Sequence, residues 1–211
     1  MYEKFEALDK EKQLRIINSA FDEFALKQFG KASTDKIAKN AQISKGALFQ
    51  YFGTKKKLYF YIYKYAYKVV AKEFWGQIDL SSTDIFERIR SAMDVKLKIY
   101  CKHPNVFEFI INSNLRETDQ DIKAFMSEEE ILQKNNAYAK ILADIDYSKF
   151  KEEYDPKHII AIIFWVMDGF GHQVTSRLNN EQFSIDIYEC WANEFDEYIE
   201  VLKKAYYKEV N

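Results

Sequence analysis

The sequence contains few of the residues that interrupt helices or cross-link a chain. Among its 211 residues there are six Gly, two Pro and two Cys. So few backbone breakers exclude a collagen-like protein and a turn-rich all-β protein. Cys101 and Cys190 do not form a CxxC pair, so the sequence predicts neither a disulfide framework nor a thiolate metal cluster.

Long hydrophobic runs are also missing. The longest, from Ile159 to Met167, has nine residues, whereas a membrane-spanning helix needs about 20. The first residues are charged and lack the apolar segment of a secretory signal. We therefore expect no membrane association and a cytoplasmic location. Hydrophobic residues nevertheless make up 47% of the chain and aromatic residues 17%, which is enough for a buried core and excludes a disordered protein.

The net charge of −2 hides two parts of opposite sign. Residues 1–70 hold 14 Lys and Arg against 7 Asp and Glu, a net charge of +7. Residues 71–211 hold 17 against 26, a net charge of −9. This asymmetry indicates that the basic part meets a polyanion and that the acidic part has another role.

Apolar spacing and capping residues predict an all-α fold of about nine helices. A first helix over 10–29 precedes Gly30, and its apolar face is Leu14, Ile17, Phe21, Phe24 and Ala25. Side chains that can cap a helix N-terminus then precede three helices: Ser33 before 34–40, Ser44 before 45–51, and Thr54 before 55 to about 74.

The remaining helices are longer. They are expected from about 85 to a stop at Pro104, from Pro104 onward, over 119–146, over 156–178 and over 184–207, with 147–155 as the longest surface connection. The expected architecture is a three-helix N-terminal head on a larger C-terminal helical bundle. We place the head at residues 1–54 and the ligand-binding and dimerisation domain at 55–211, linked by the helix that begins at Lys55.

Two short helices joined by a three-residue turn are typical of a helix-turn-helix, which sets its second helix into the major groove of DNA. The residue types support this interpretation. The inner face is apolar: Ile37, Ala38, Ala41, Ile43, Leu48 and Phe52. Aromatic residues and lysines remain for the outside of the second helix, where DNA binding would explain them.

The run from Ser33 to Ala38, and the run Ile43-Ser44-Lys45-Gly46-Ala47-Leu48-Phe49-Gln50-Tyr51-Phe52-Gly53-Thr54-Lys55-Lys56-Lys57-Leu58, closely resemble the DNA-binding domain of the tetracycline-repressor (TetR) family. The resemblance covers residues 10–60 and extends to the rest only in length and helical layout. It implies a dimeric, ligand-responsive transcriptional regulator, usually a repressor.

Three positions depart from the family pattern. Gln42 stands where a turn Gly is usual, and Phe49 where a Tyr hydroxyl usually reaches a phosphate. Asp35 is acidic where some members carry a basic contact, so we do not assign it to binding.

Position on the helices predicts a role for each DNA-binding residue. Thr34 and Lys55 lie at helix N-termini suited to phosphate, and the Tyr51 hydroxyl can donate to one. Lys45 and Gln50 can reach guanine and adenine edges, and Gly46 allows close approach. Packing of Phe49 and Tyr51 against a neighbouring helix is the alternative for those two. The DNA-binding set is Thr34, Ser44, Lys45, Gly46, Phe49, Gln50, Tyr51 and Lys55.

The last two helices predict a homodimer on a palindromic double-stranded operator. The run from Ile159 to Met167 is apolar on all sides of its helix, so other helices must cover it all round. The following helix carries an apolar stripe that suits packing against a partner helix. Pairing both with their copies gives a two-fold four-helix interface, as in the resembled family. The expected interface residues are Ile163, Val166, Trp191, Phe195, Ile199 and Leu202.

A small-molecule effector is expected in the C-terminal body. Asp168 and His172 lie one turn apart on an apolar helix, either as a polar anchor for the ligand or as a buried hydrogen-bonded pair. The expected lining is Tyr100, Phe107, Ile111, Tyr138, Phe164, Trp165, Asp168 and His172. A lipophilic cation and an acyl chain fit this lining equally well.

Two other classes of function remain open at this point. A regulator without an effector, acting through a protein partner, would share the same head. A helical enzyme is disfavoured because no catalytic constellation is visible, although Asp168 and His172 could act together. His103 and His158 lie far apart and no HxxxH or HExxH spacing occurs, so we expect no metal site and no cofactor.

Overall fold

The computed structural model describes residues 2–177 and 184–209. Within them the chain is all-α, as predicted, and its one strand-like contact is an isolated antiparallel bridge between Phe150 and Tyr207. The ten helices are α1 (Glu3–Glu6), α2 (Lys10–Leu26), α3 (Thr34–Asn40), α4 (Lys45–Phe52), α5 (Lys55–Gln77), α6 (Ile85–Lys102), α7 (Pro104–Arg116), α8 (Gln120–Ile141), α9 (Pro156–Arg177) and α10 (Ile185–Tyr206).

The three predicted capping side chains around the helix-turn-helix are confirmed. The hydroxyls of Ser33, Ser44 and Thr54 each accept the backbone N–H of the third residue that follows, at 3.3, 3.1 and 3.1 Å. Each such cap satisfies one unpaired N–H of the first turn and contributes about 1 kcal/mol to helix stability. These caps fix where α3, α4 and α5 begin.

The first helix ends earlier than its apolar spacing predicts, at Leu26 instead of residue 29. Two carboxylates hold the following loop away from a helical path. Glu23 accepts the backbone N–H of Ser33 at 2.8 Å, and Glu117 accepts that of Phe29 at 3.1 Å. A contact from a distant part of the chain therefore ends α2.

Helix α8 also ends early, at Ile141 instead of residue 146. The guanidinium of Arg88 donates to the carbonyl oxygens of Ile141 and Ala143, and Asp144 adopts a positive φ of 59°. Buried hydrogen bonds to Arg88 take up the carbonyl groups at the end of the helix, so the helix stops there.

The predicted long connection after α8 is partly structured. It contains a 3-10 turn over Tyr147–Lys149, and Phe150 is buried. The last two helices match the sequence prediction within about one residue: α9 begins at Pro156 and ends at Arg177, and the side chain of Ser184 caps α10. The expected end near Leu178 lies just outside the described residues.

The chain packs as two compact units. Unit 1 comprises Met1–Glu73 with Lys102–Lys134, and unit 2 comprises Phe74–Cys101 with Asn135–Asn211. Unit 1 therefore joins the helix-turn-helix to α7 and to the first part of α8. The functional boundary that we placed at residue 54 is a different division and stays a prediction.

Each unit has its own apolar core. In unit 1, aromatic rings surround the helix-turn-helix, and Phe5, Tyr59, Tyr63 and Phe109 are each at most 1% exposed. In unit 2 the core lies between α6, α9 and α10, whose largest buried side chains include Phe86, Ile163, Phe195 and Ile199. Close packing of this kind gives the exposed side chains of each unit a fixed frame.

Candidate DNA-binding surface and effector site

The helix-turn-helix has the inner face that the sequence predicts. On α3, on α4 and in the turn between them, the predicted side chains are buried or, for Ile43, half-buried. The hydroxyl of Ser19 on α2 donates to the carbonyl oxygen of Ile37 at 2.8 Å, which anchors α3 on the helix behind it. The outer face of α4 is thereby held at a fixed angle.

The turn between the two helices contains a strained residue. Gln42 has a φ of 57°, in the left-handed region that disfavours residues with a Cβ atom by about 1–2 kcal/mol. This is the position where the resembled family usually has Gly. The chain keeps the same turn geometry with a residue less suited to it.

Helix α4 presents a polar surface to solvent. Ser44, Lys45, Gly46 and Gln50 are all exposed, as their predicted roles at DNA require. No Cβ-sized obstacle surrounds Gly46 apart from the Ser44 hydroxyl, which lies 3.9 Å from where a Cβ would be. This end of α4 can therefore approach a groove closely.

The two aromatic residues of α4 are half-buried. The ring centroid of Tyr51 lies 6.3 Å from that of Phe5 on α1, and Tyr51 packs against the core of unit 1. Sequence reasoning did not foresee α1. Packing against this core explains why the Tyr51 ring is half-buried. The phosphate contact of the Tyr51 hydroxyl and the DNA contact of Phe49 stay predictions.

An ion pair joins α3 and α4 on their outer side. The ammonium of Lys45 lies 3.0 Å from a carboxylate oxygen of Asp35, and the two side chains are 53% and 67% exposed. An exposed pair of this kind contributes less than about 1 kcal/mol to stability. The Asp35 carboxylate nevertheless pairs with the same lysine that we expect to contact a DNA base.

Lys55, the predicted phosphate contact at the start of α5, is half-buried in unit 1. Its ammonium donates to the carbonyl oxygen of Gly30 at 3.4 Å and lies 4.7 Å above the ring of Phe29. Burial lowers the pKa of this lysine. Thr34 is half-buried at the first position of α3, so both residues lie at the edges of the motif where phosphate contacts are expected.

Three of the predicted effector residues come together in unit 2. The hydroxyl of Tyr138 on α8 donates to a carboxylate oxygen of Asp168 on α9 at 2.7 Å. The ring of Tyr138 stacks on that of Phe164, with centroids 3.8 Å apart and planes 15° apart. Burial, and then the hydrogen bond to Asp168, raise the pKa of Tyr138 well above its ordinary value.

The other predicted effector residues are placed differently. Tyr100 is buried in unit 2, whereas Phe107 and Ile111 are half-buried on α7 in unit 1. Trp165 is 70% exposed, and His172 is exposed as well. The structure therefore gathers Tyr138, Phe164 and Asp168, and the ligand roles of the remaining five stay predictions.

Lys96 on α6 was not among the predicted site residues. Its side chain is exposed, and its ammonium interacts electrostatically with Asp168.

The predicted dimer interface contains residues of two kinds. Ile163, Phe195, Ile199 and Leu202 are at most 9% exposed within the single chain, so they already belong to its own core. Val166 and Trp191 are half-buried. The exposed apolar side chains of α9 and α10 are Trp165, Tyr198 and Val201, at 70%, 40% and 64%.

The described residues contain neither a metal-binding cluster nor a membrane-spanning helix. Within 2–177 and 184–209, no group of three His, Cys, Asp or Glu lies close enough to hold a metal ion. No helix in the same ranges is long and apolar enough to cross a membrane.

Comparison with known proteins finds a family match over part of the chain. Residues 16–62 match the family model of bacterial regulatory proteins of the TetR family, which spans α2 to the first part of α5. No protein with a curated function matches the sequence.

Solved structures share the fold over nearly the whole chain. A TetR family transcriptional regulator from Chloroflexus aurantiacus J-10-FL is 19% identical, with a TM-score of 0.63 and 98% of each chain covered. The fatty acid degradation regulator FadR from Bacillus halodurans is 18% identical, with a TM-score of 0.64, 93% of this chain and 96% of that chain covered.

The transcriptional regulator FadR from Bacillus subtilis, solved in complex with stearoyl-CoA, is 16% identical, with a TM-score of 0.61, 90% of this chain and 96% of that one covered. At these identities the likenesses establish the fold. The chain therefore has the fold of these regulators, and its residues 16–62 match the helix-turn-helix model of bacterial regulatory proteins of the TetR family.

Proposed function

We propose that the protein is a homodimeric repressor that binds a palindromic operator through α4 and leaves it when a small apolar effector binds in unit 2. Members of the TetR family typically act on DNA as dimers that respond to effectors. The observation that carries the proposal is the exposed polar end of α4, held by the Ser44 cap within the segment that matches the family.

The DNA contacts divide into two groups. Lys45 and Gln50 reach base edges from the exposed side of α4, and Gly46 lets the backbone approach the groove. Thr34, Ser44, Tyr51 and Lys55 contact phosphates, and Phe49 touches the backbone or a thymine methyl. The net charge of +7 on residues 1–70 supports the same assignment, because sequence-independent affinity for DNA comes from neutralised phosphates.

A two-fold dimer through α9 and α10 places two copies of α4 in successive major grooves about 34 Å apart. The exposed side chains of Trp165, Tyr198 and Val201 support this interface, since large apolar groups of neighbouring helices favour burial against a partner. Val166 and Trp191 border them. The other predicted residues, which are buried in the single chain, would pack beneath this surface: Ile163, Phe195, Ile199 and Leu202.

The effector is a small apolar molecule bound near Tyr138, Phe164 and Asp168. The stacked rings of Tyr138 and Phe164 offer an apolar wall, and Asp168 offers a polar group beside it. One structural relative is a fatty acid degradation regulator, and another, the transcriptional regulator FadR from Bacillus subtilis, was solved in complex with stearoyl-CoA, which favours an effector with an acyl chain. Binding shifts the population toward a state in which the two heads no longer match the operator.

Binding to DNA tests the proposal. We expect the protein to bind the DNA upstream of its own gene more tightly than a scrambled sequence, with an affinity that falls steeply as salt increases. Lys45→Ala should reduce the difference between the two DNAs by about 5- to 150-fold, since one base contact contributes about 1–3 kcal/mol. Lys55→Ala should weaken binding to both DNAs and lower the salt slope by about one.

Fluorescence anisotropy with labelled duplexes measures these effects. Lys157→Ala is the matched control, because this exposed lysine lies at the start of α9 in unit 2. No binding to either DNA at low salt would contradict the assignment of α4 as a DNA-reading helix. Equal losses for Lys45→Ala and Lys157→Ala would contradict the role of Lys45.

A further inference from the structure

The ion pair between α3 and α4 involves both carboxylate oxygens of Asp35. The ammonium of Lys45, the first residue of α4, lies 3.0 Å from one oxygen and donates to the other at 3.1 Å. Asp35 lies in the first turn of α3. More than half of each side chain is exposed, and the exposed Gly46 follows Lys45 directly. The pair therefore lies at the end of α4 that we expect to approach the major groove.

The pair leaves Lys45 a donor for a further acceptor. A lysine ammonium carries three N–H donors, and the two carboxylate oxygens of Asp35 engage at most two of them. A guanine edge requires only donors, because its O6 and N7 atoms are both acceptors. Lys45 can therefore bind a guanine without leaving Asp35.

Contact with a phosphate is different, because the carboxylate competes with it for the same charge. Lysine is a compact charge on a flexible stem, and a lysine without a partner neutralises whichever phosphate it reaches. Such contacts raise the affinity for every DNA sequence and carry no sequence information. Since Lys45 and Asp35 together have no net charge, the pair adds little to this sequence-independent affinity.

The pair also restricts where the ammonium of Lys45 can point. The helix starts that carry the two residues are capped by Ser33 and Ser44, so the backbone on both sides is fixed. A side chain that a neighbouring carboxylate already holds loses less conformational freedom on binding than a free lysine. Charge and orientation thus both favour a base edge over a phosphate.

We propose that Asp35 is a specificity-determining residue, which holds Lys45 in position for a guanine edge and lowers its affinity for phosphates. Asp35 is a positioning residue, because it acts through Lys45. The inference rests on the proposed function, in that α4 reads the operator. It also explains an acidic side chain on a surface whose other assigned residues are neutral or basic.

Selection from a random DNA library tests the proposal without a known operator. Full-length wild-type protein selects from duplexes of about 30 base pairs, which accommodate two half-sites in successive major grooves. We expect a guanine in each selected half-site. Fluorescence anisotropy then measures the affinity of each variant for the best selected duplex and for a scrambled duplex, and the ratio of these affinities is the specificity ratio.

Asp35→Asn should make binding less specific. At 0.1 M salt the scrambled duplex should bind about 8-fold more tightly, with a salt slope steeper by about one, because the pair gains one net positive charge. The selected duplex should gain less, since a weaker guanine contact offsets part of the new phosphate contact. The specificity ratio should therefore fall by about 3-fold or more. Asp35→Glu should keep most of the specificity, because it retains the carboxylate.

Two further measurements show whether Asp35 acts through Lys45. In a Lys45→Met background, Asp35→Asn should leave the specificity ratio unchanged, because the residue that Asp35 positions is gone. Asp94→Asn is the matched control, since it removes an exposed carboxylate from α6 in unit 2. Its specificity ratio and salt slope should equal those of the wild type.

The outcomes distinguish this role of Asp35 from the proposed function. If the wild-type protein enriches no sequence, the DNA-reading role of α4 is wrong and the role of Asp35 is overturned with it. If it enriches a consensus but Asp35→Asn keeps the wild-type ratio and salt slope, only the role of Asp35 is overturned. A consensus without guanine, or an equal fall in the ratio on Asp35→Asn in the Lys45→Met background, would overturn that role as well.

Discussion

Helix α6 carries two arginines two positions apart, and their guanidinium groups are bound in different ways. Arg88 is 3% exposed, and its guanidinium donates to the backbone carbonyls of Leu80, Ser82, Ile141 and Ala143. The side chain of Arg90 is 36% exposed and pairs with the carboxylates of Asp196 and Glu200.

The comparison shows how to separate a structural cation from a surface one. A buried cation whose donors reach backbone acceptors holds segments of the chain together. A cation whose ion pairs are exposed to solvent contributes little to stability.

The largest effect is expected from removal of the satisfied cation. Arg88→Met should lower the free energy of unfolding by about 3 kcal/mol or more, because four carbonyl groups lose their donor and each unsatisfied group costs about 1–3 kcal/mol. Chemical denaturation measures this. Arg90→Met is the control, since Arg90 forms exposed ion pairs with Asp196 and Glu200 at 2.9 and 2.6 Å, which contribute less than about 1 kcal/mol. Similar losses in both variants would erase the distinction.

The smallest effect on stability concerns a cation that is exposed and paired. Asp35→Asn removes the carboxylate that lies 3.0 Å from Lys45 and should change the free energy of unfolding by less than about 0.5 kcal/mol. It should, however, strengthen binding to any DNA severalfold, because Lys45 is freed and one negative charge leaves the DNA-facing surface. Anisotropy titrations at two salt concentrations measure this. Asp94→Asn, an exposed site on α6, controls for net charge.

Sequence alone was sufficient for much of the fold and for part of the candidate site. Capping side chains predict where three helices begin, at Ser33, Ser44 and Thr54, because a cap depends only on residues three positions apart. The ends of α2 and α8 could not be predicted, because Glu117 and Arg88 reach them from distant parts of the chain. Local signals predict where a helix begins better than where tertiary contacts end it.

The candidate sites show a similar limit. Helical periodicity predicted Ile163, Phe195, Ile199 and Leu202 as dimer-interface residues, because an apolar stripe alone does not distinguish burial within the chain from burial against a second copy.

Glu117 has a mechanical consequence for unit 1. Its carboxylate, 4% exposed, accepts the N–H groups of Thr118 and Asp119 at the corner between α7 and α8, and that of Phe29 just before the helix-turn-helix. The ammonium of Lys56, in the first turn of α5, lies 2.7 Å from Asp121 near the same corner. These short polar links tie the corner to both ends of the helix-turn-helix, so a shift of the corner would be expected to shift the helix-turn-helix with it.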